Sequence, residues 1–330
     1  MDSLSQIVLG AATFALVKDK EIGKKALLYG AILGTIPDLD VLLNPFFTDI
    51  QQYAIHRAFS HSIFFLLPLS LILGFWFHKK YKTPYFSWFW ASFLALFTHP
   101  LLDICTTYGT RILYPFTKEF YSLNNVFVVD PLYTIWLLIA CIVLLILKKE
   151  NPIRKKIIVA SLTISTLYLV WGLTVRTFIY NEFTDKLKAE NISFSKLTVT
   201  PTPFNTFYWQ TIIKTDDGYY FSDYSIFDSK HKMDLIFVKN VETIVKKIKE
   251  NEDLEPFVNF SQDYALGRIE NGVEKVYVLK FGVIINKDNQ LQSFFPLCKN
   301  EESNEYYIDK TMEYSFSEVW LSIWNRIKGN

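Results

Sequence analysis

HRAFSHSIFFLLPLSLILGFWF, residues 56–77, sets two histidines, an arginine and two serines directly against an almost unbroken apolar run. The run reads as a membrane helix. An ionisable group beside hydrocarbon costs a few kcal/mol unless it is paired or liganded, so the polar stretch calls for a compensating partner. Further apolar segments lie at roughly 7–17, 26–36, 85–98, 131–147 and 157–178. Together with 62–77 they predict six helices. Crossing a bilayer takes about 20 residues, so most of them need flanking residues to span. Ser3 and Gln6 stand at capping-box spacing, which predicts a first helix starting near residue 3.

The 330 residues are half hydrophobic and 17% aromatic, and the apolar runs are confined to the first 180. The expected architecture is an all-α polytopic membrane domain of about six helices over residues 1–180, followed by a small α+β soluble domain over 181–330. In the second part Asp217-Gly218 and Asn271-Gly272 are turn signals between β-branched and aromatic runs, while VETIVKKIKE and SFSEVWLSIWNRIKG look helical. A net charge of +1 gives no reason to expect nucleic acid as a partner. Cys105, Cys141 and Cys298 form no CxxC pair, so neither a disulfide framework nor a cysteine zinc site is readable. MDSLSQ lacks a cationic n-region and is not read as a cleaved signal peptide.

Loop charges predict the orientation. KDKEIGKK (18–25), HKKYK (78–82) and KKENPIRKK (148–156) carry four, three and five lysines or arginines, whereas 37–61 and 108–130 hold only Arg57, Arg111 and Lys118. Positive loops stay cytoplasmic. The protein is therefore expected in the bacterial cytoplasmic (inner) membrane as a multi-pass protein, with residues 181–330 extracytoplasmic.

Polar clusters interrupt the apolar segments: GTIPDLD with Asp38 and Asp40, HRAFSHS with His56, Arg57, Ser60 and His61, THPLLD with His99 and Asp103, and FVVDP with Asp130. Counted at 1.5 Å per residue from the lysine-rich loops, the first three lie about 20, 27 and 25 Å from the cytoplasmic side, at one height near the outer surface. His99 and Asp103 are i,i+4 and share a helix face, with Pro100 expected to kink or restart the helix. His56 and His61 reach one centre if His56 precedes the helix and His61 opens it. Asp38 and Asp40 reach it together from an extended turn. Mixed imidazole and carboxylate ligands suit zinc, manganese or iron.

Each cluster also has a plainer use. PDLD can stop a helix with solvated carboxylates. Asp103 can neutralise Arg111 or cap a helix end. His56 and Arg57 can anchor the chain at the interface, and Asp130 before Pro131 reads as an N-cap. His78 belongs to a basic loop and His231 to the second domain. Three clusters at one height favour the metal.

MDSLSQIVLGAA, GAILGTIPDLD, HRAFSHS and HPLLDICTTYGT resemble, in order, the motifs of the YdjM-type membrane-bound metal-dependent hydrolases of bacteria, over about residues 1–115. NNVFVVDPLYT and TPTPFN look like the longer members of that family. Many members have a histidine where this chain has Gln6. The PD, HS and HxxxD elements are also distantly similar to zinc-dependent phospholipase C, which implies hydrolysis of a phosphoester.

The expectation is a metal-dependent hydrolase with Asp38, Asp40, His56, His61, His99 and Asp103 as ligands, to zinc first and manganese or iron as alternatives. Asp38 or Asp40 serves as general base, and Arg57 or Arg111 binds a phosphate oxygen or stabilises transition-state charge. Ser60 caps the third helix or orients His56. The height of the site favours a membrane lipid or lipid-linked substrate at the outer leaflet. Two other readings compete: a non-catalytic scaffold with a structural metal and a partner-binding outer domain, and a transporter, which the absence of an inverted repeat disfavours.

Overall fold

The computed structural model describes residues 1–229, 233–285, 291–292, 296–300, 305–311 and 316–329. His231 lies outside them. The chain forms two compact units, residues 1–44 with 55–172, and residues 45–54 with 173–330.

The first unit is helical. Each apolar segment becomes a helix: α1 (Ser3–Ile22), α2 (Lys24–Thr35), α4 (Ile63–Tyr81), α5 (Tyr85–Cys105), α6 (Pro131–Ile146) and α7 (Ile153–Ala189), of which α7 runs on past residue 172 into the second unit; the short α3 (Asp49–Ile55) belongs to the second unit but for its last residue. Among the described residues, four stretches are long and apolar enough to cross a membrane: Lys24–Phe46, Ile63–Tyr81, Tyr85–Cys105 and Ile153–Ala189. Helix α6 is apolar but shorter, and the last turns of α1 carry Lys18, Asp19, Lys20 and Glu21. Two of the six expected spans thus fall short in length or apolarity.

The caps partly differ from expectation. Helix α1 is capped by Asp2, whose carboxylate accepts from the Ser5 N–H, and not by a Ser3–Gln6 box. Gln6 is thereby left to face inward. Asp130 does cap α6, accepting from the Leu132 N–H. Pro100 neither breaks nor restarts α5, which runs through it.

Helices α1 and α2 pack with their backbones close together. A Cβ added at Gly34 would stand 2.6 Å from the Gln6 carbonyl oxygen and 3.0 Å from Gly10 Cα. Gly30 and Gly34 form a small-xxx-small pair that lets the two backbones meet. Phe14, Phe77 and Trp88 fill the space below, with Phe77 and Trp88 stacked at 5.1 Å. Among the buried charges of this unit, Asp19 pairs with Arg154 and Lys18 with Glu21.

The second unit carries two antiparallel four-stranded sheets. The first, in order β1-β2-β3-β4, comprises Lys196–Pro201, Tyr208–Lys214, Gly218–Ser225 and Ile236–Lys239. The second joins β5 (Ala265–Glu270) and β6 (Val273–Val278) to β9 (Leu297–Lys299) and β10 (Tyr306–Ile308). Strands β7 (Ile284–Ile285) and β8 (Leu291–Gln292) form a separate ribbon. Asn271 and Gly272 both have positive φ, as a two-residue hairpin turn requires. The C-terminal half of α7 buries Ile179, Phe183 and Leu187 against Val199, Trp209 and Ile213 of the first sheet. The predicted helices appear as α8 (Glu242–Lys249) and α10 (Phe316–Ile327), with the short α9 (Glu255–Phe260) between them. The fold is a helical membrane part followed by an α+β part.

Candidate metal centre

Three segments of the first unit converge. Helix α2 continues without a break into a 3-10 stretch, Ile36–Phe46, which carries Asp38 and Asp40. Residues 56–62 lie between α3 and α4, with His61 in a short 3-10 turn and Ser62 as the N-cap of α4. Helix α5 supplies His99 and Asp103 one turn apart.

The segment 56–62 is pinned before it reaches α4. The Arg57 carbonyl accepts from the Arg111 N–H at 3.1 Å, and the Ile63 N–H donates to the Ile112 carbonyl at 3.0 Å. Arg57 adopts φ +58°, a left-handed conformation that a non-glycine residue holds only where its surroundings fix it. Its own N–H donates to Asp40 Oδ2 at 3.0 Å.

Four atoms face one another at the centre. Asp38 Oδ1 is 3.3 Å from both His61 Nε2 and His99 Nε2. Asp103 Oδ2 is 3.3 Å from His61 Nε2 and 3.5 Å from His99 Nε2. All four atoms are buried, and none has a hydrogen bond. Their residues are otherwise well held. His99 Nδ1 donates to the Gly34 carbonyl at 2.6 Å. His61 Nδ1 is 2.9 Å from Ser60 Oγ. Asp103 Oδ1 takes the Gln6 amide at 3.1 Å, the Met1 amino group, and Arg57 Nη1 at 3.4 Å.

The outer bonds dictate the inner chemistry. A carbonyl only accepts, so His99 carries its proton on Nδ1 and, when neutral, turns a bare lone pair on Nε2 inward. That lone pair, the inward Nε2 of His61 and two carboxylate oxygens then meet around one point. Buried acceptors left without partners are costly, and a cation is what such a quartet fits. Its two nitrogens and two oxygens suit zinc, manganese or iron.

Asp40 and His56 stand beside this quartet. Asp38, Asp40 and His56 bring a second set of ligand atoms close together. Here the polar atoms already satisfy one another: His56 Nδ1 donates to Asp40 Oδ1 at 3.0 Å, and Asp40 Oδ2 takes the Arg57 N–H and Ser60 Oγ. The two are a bonded pair at the flank of the centre.

The remaining expected residues divide. Arg57 is buried at the centre, bonded to the Gly109 carbonyl at 3.1 Å and stacked over Tyr108 at 4.2 Å. It, and not Arg111, accompanies Asp103. The Arg111 guanidinium lies over the Phe120 ring. Ser60 neither caps α4 nor orients His56. Ser62 is the cap, and Ser60 bridges Asp40 and His61. Sequence reasoning had no signal for the Gly34 carbonyl as a partner of His99, although the GAILG spacing announces the close helix approach that brings it there.

The chain belongs to the YdjM inner membrane protein family, whose family model matches residues 1–179. That membership and the four long apolar helices make it a membrane protein. It is 28% identical over 144 residues to protein YfhP of Bacillus subtilis strain 168, covering 40% of this chain and 42% of that one. It is 30% identical over 102 residues to the inner membrane protein YbcI of Escherichia coli K12, covering 30% of this chain and 59% of that one. The chain thus spans about half the length of these curated relatives. No solved structure matches.

Proposed function

We propose that this protein is a metal-dependent hydrolase of the inner membrane, acting on a phosphoester or other ester of a lipid or lipid-linked substrate at the outer leaflet. The observation that carries the reading is the buried quartet of Asp38, His61, His99 and Asp103, whose four inward atoms have no hydrogen bond. These residues would hold the ion. A bound divalent ion, zinc by preference, lowers the pKa of water and polarises an ester bond.

The chain's own residues supply the rest. His56 is the general base in this reading. Its Nδ1 is anchored on Asp40 as the histidine of a catalytic triad is anchored on its aspartate, and it is more exposed than the buried His61 and His99. This moves the proton-handling role from the aspartates to the histidine that Asp40 holds. Arg57 offsets the charge of Asp103 and offers a guanidinium to a phosphate oxygen. Exposed apolar residues beside the aspartates, Leu39, Leu42 and Leu43, suit an acyl-chain neighbour.

A scaffold with a structural ion is the second reading, and one observation favours it. The candidate set has four ligands, three of them from buried residues, which is the number that a structural zinc site uses. Against it, the Asp38 side chain keeps 20% of its exposure and stands beside the partly exposed His56.

The test is release of phosphate or a phosphorylated headgroup from phospholipid vesicles by detergent-purified protein loaded with zinc, manganese or iron. Activity that disappears in His99→Ala supports the enzyme. Metal binding with no change in the lipid profile of cells lacking the gene, and no turnover in vitro, favours the scaffold.

A further inference from the structure

We infer that Ser60 is a positioning residue for the metal centre, relaying Asp40 to His61 and fixing which imidazole nitrogen faces the ion. The inference rests on the metal reading above.

Ser60 Oγ is 2.8 Å from Asp40 Oδ2 and 2.9 Å from His61 Nδ1. A serine hydroxyl has one proton to give and lone pairs to accept with. An ionised carboxylate can only accept, so the hydroxyl proton goes to Asp40. The Ser60 oxygen is then an acceptor toward His61, and His61 Nδ1 must be the donor. The proton therefore sits on Nδ1, and in the neutral ring the lone pair sits on Nε2, the atom 3.3 Å from both Asp38 Oδ1 and Asp103 Oδ2.

Asp40 is itself immobilised. Its Oδ1 takes His56 Nδ1, and its Oδ2 takes the Arg57 N–H besides Ser60. The relay is thus anchored on backbone at one end and ends at a candidate ligand at the other. Partners behind a ligating histidine usually set ring orientation and basicity, and losing one costs about 10- to 100-fold in metal affinity. His99 achieves the same end differently, through the Gly34 carbonyl. The two inward nitrogens are fixed by a hydroxyl relay on one side and a main-chain carbonyl on the other.

The experiment measures zinc affinity of the full-length protein in detergent, by competition with a chelating dye, for wild type, Ser60→Ala and Ser60→Thr. Ser60→Ala should bind zinc about 10- to 100-fold more weakly. Ser60→Thr keeps the hydroxyl at a half-buried position and should return affinity to within about threefold, well inside the second-sphere loss. A 15N imidazole spectrum of the metal-free protein should show His61 protonated on Nδ1 in wild type and mixed tautomers in Ser60→Ala. Should Ser60→Ala not fold, Ser60→Cys takes its place, since a thiol is a weak donor and acceptor of similar shape. Wild-type affinity in the alanine or cysteine variant, or equal losses in alanine and threonine variants, overturns the relay while leaving the metal centre standing. A wild type that binds no zinc, manganese or iron overturns both.

Discussion

Asp38 and His99 come from different helical segments and turn buried atoms toward each other: Oδ1 and Nε2 stand 3.3 Å apart, and neither carries a hydrogen bond. His61 and Asp103 complete the same arrangement from the other side. Metal content is therefore the first consequence to measure. His61→Ala, His99→Ala and Asp103→Ala should each lower bound metal, by more than the about 10- to 100-fold expected for loss of an outer partner. His78→Ala should change nothing, because His78 Nδ1 bonds the Thr83 carbonyl beyond the end of α4. Elemental analysis of the purified proteins after dialysis against a weak chelator decides it. Full occupancy in all three ligand variants would mean that these side chains only pair with one another.

The closeness of α1 and α2 has its own signature. Gly34→Ala would force a methyl to within 2.6 Å of the Gln6 carbonyl, and backbone cannot yield as a side-chain tip does. The helices must separate, which moves the Gly34 carbonyl away from His99 and Gln6 away from Asp103. Overpacking of this kind costs about 1–3 kcal/mol. We expect a lower melting temperature and weaker zinc binding together. Weakened metal binding with unchanged stability, or the reverse, would uncouple the helix contact from the centre.

Asp130 makes a pH prediction. Burial pushes its carboxyl up to about 6, against the opposing bonds from Tyr168 and the Leu132 N–H. A carboxyl with a raised folded pKa binds its proton more tightly in the folded state than in the unfolded one. Its contribution is therefore present below about pH 4 and is lost as pH rises through about 6. Asp130→Asn keeps a capping oxygen and removes the titration. The stability of the wild type relative to this variant should fall between about pH 4 and 6, by on the order of 2–3 kcal/mol, and stay level above. Thermal melts in detergent across that range measure it, and a flat difference would sink the assignment.

In the second unit, Arg326 of α10 grips Asp228 with both terminal nitrogens and Asp223 through Nε. The Asp228 side chain is 3% exposed. Asp228→Ala leaves the Arg326 guanidinium without its main partner, a loss that costs about 3–5 kcal/mol for a buried pair. Limited proteolysis of the full-length protein should cut near α10 faster in Asp228→Ala than in wild type. Equal cutting rates would show that the ion pair does not hold the helix.

Much of this was readable in the residues, for physical reasons that also mark where reading stops. Hydrocarbon-compatible runs announce helices, so all six apolar segments emerged as helices. Ionisable groups at membrane depth, with their shared height and spacing, marked Asp38, Asp40, His56, His61, His99 and Asp103 as candidates; which four of them face one another depends on the folded backbone. The division of labour between Ser60 and Ser62 was not, because it depends on where a three-residue 3-10 turn ends. Nor was the cap of α1: Asp2 and Ser3 are both good caps, and only the inward aim of Gln6 separates them. The continuation of α7 to Ala189 was hidden because its last turns are amphipathic and carry no apolar run.

Orientation is the last prediction. Twelve lysines and arginines lie in the three loops 18–25, 78–82 and 148–156, against three in the alternate loops. Two of the twelve are consumed inside the protein: Lys18 holds Glu21, and Arg154 holds Asp19. Arg57 on the other side is equally buried beside Asp103. Removing these from the count leaves ten against two, so the asymmetry survives, and the rule counts lysine and arginine without offset by acids. The expected outcome is that residues 148–156 face the cytoplasm, that α7 carries the chain outward so that residues 181–330 lie outside, and that the partly exposed Asp38 lies toward the outer surface. A phosphatase that works only outside the cytoplasm, fused after Tyr180, should be active, and the same enzyme fused at Lys149 should be silent. The reverse pattern would place the candidate centre at the inner leaflet, and the outer-leaflet lipid substrate would have to be abandoned while the metal site itself stood.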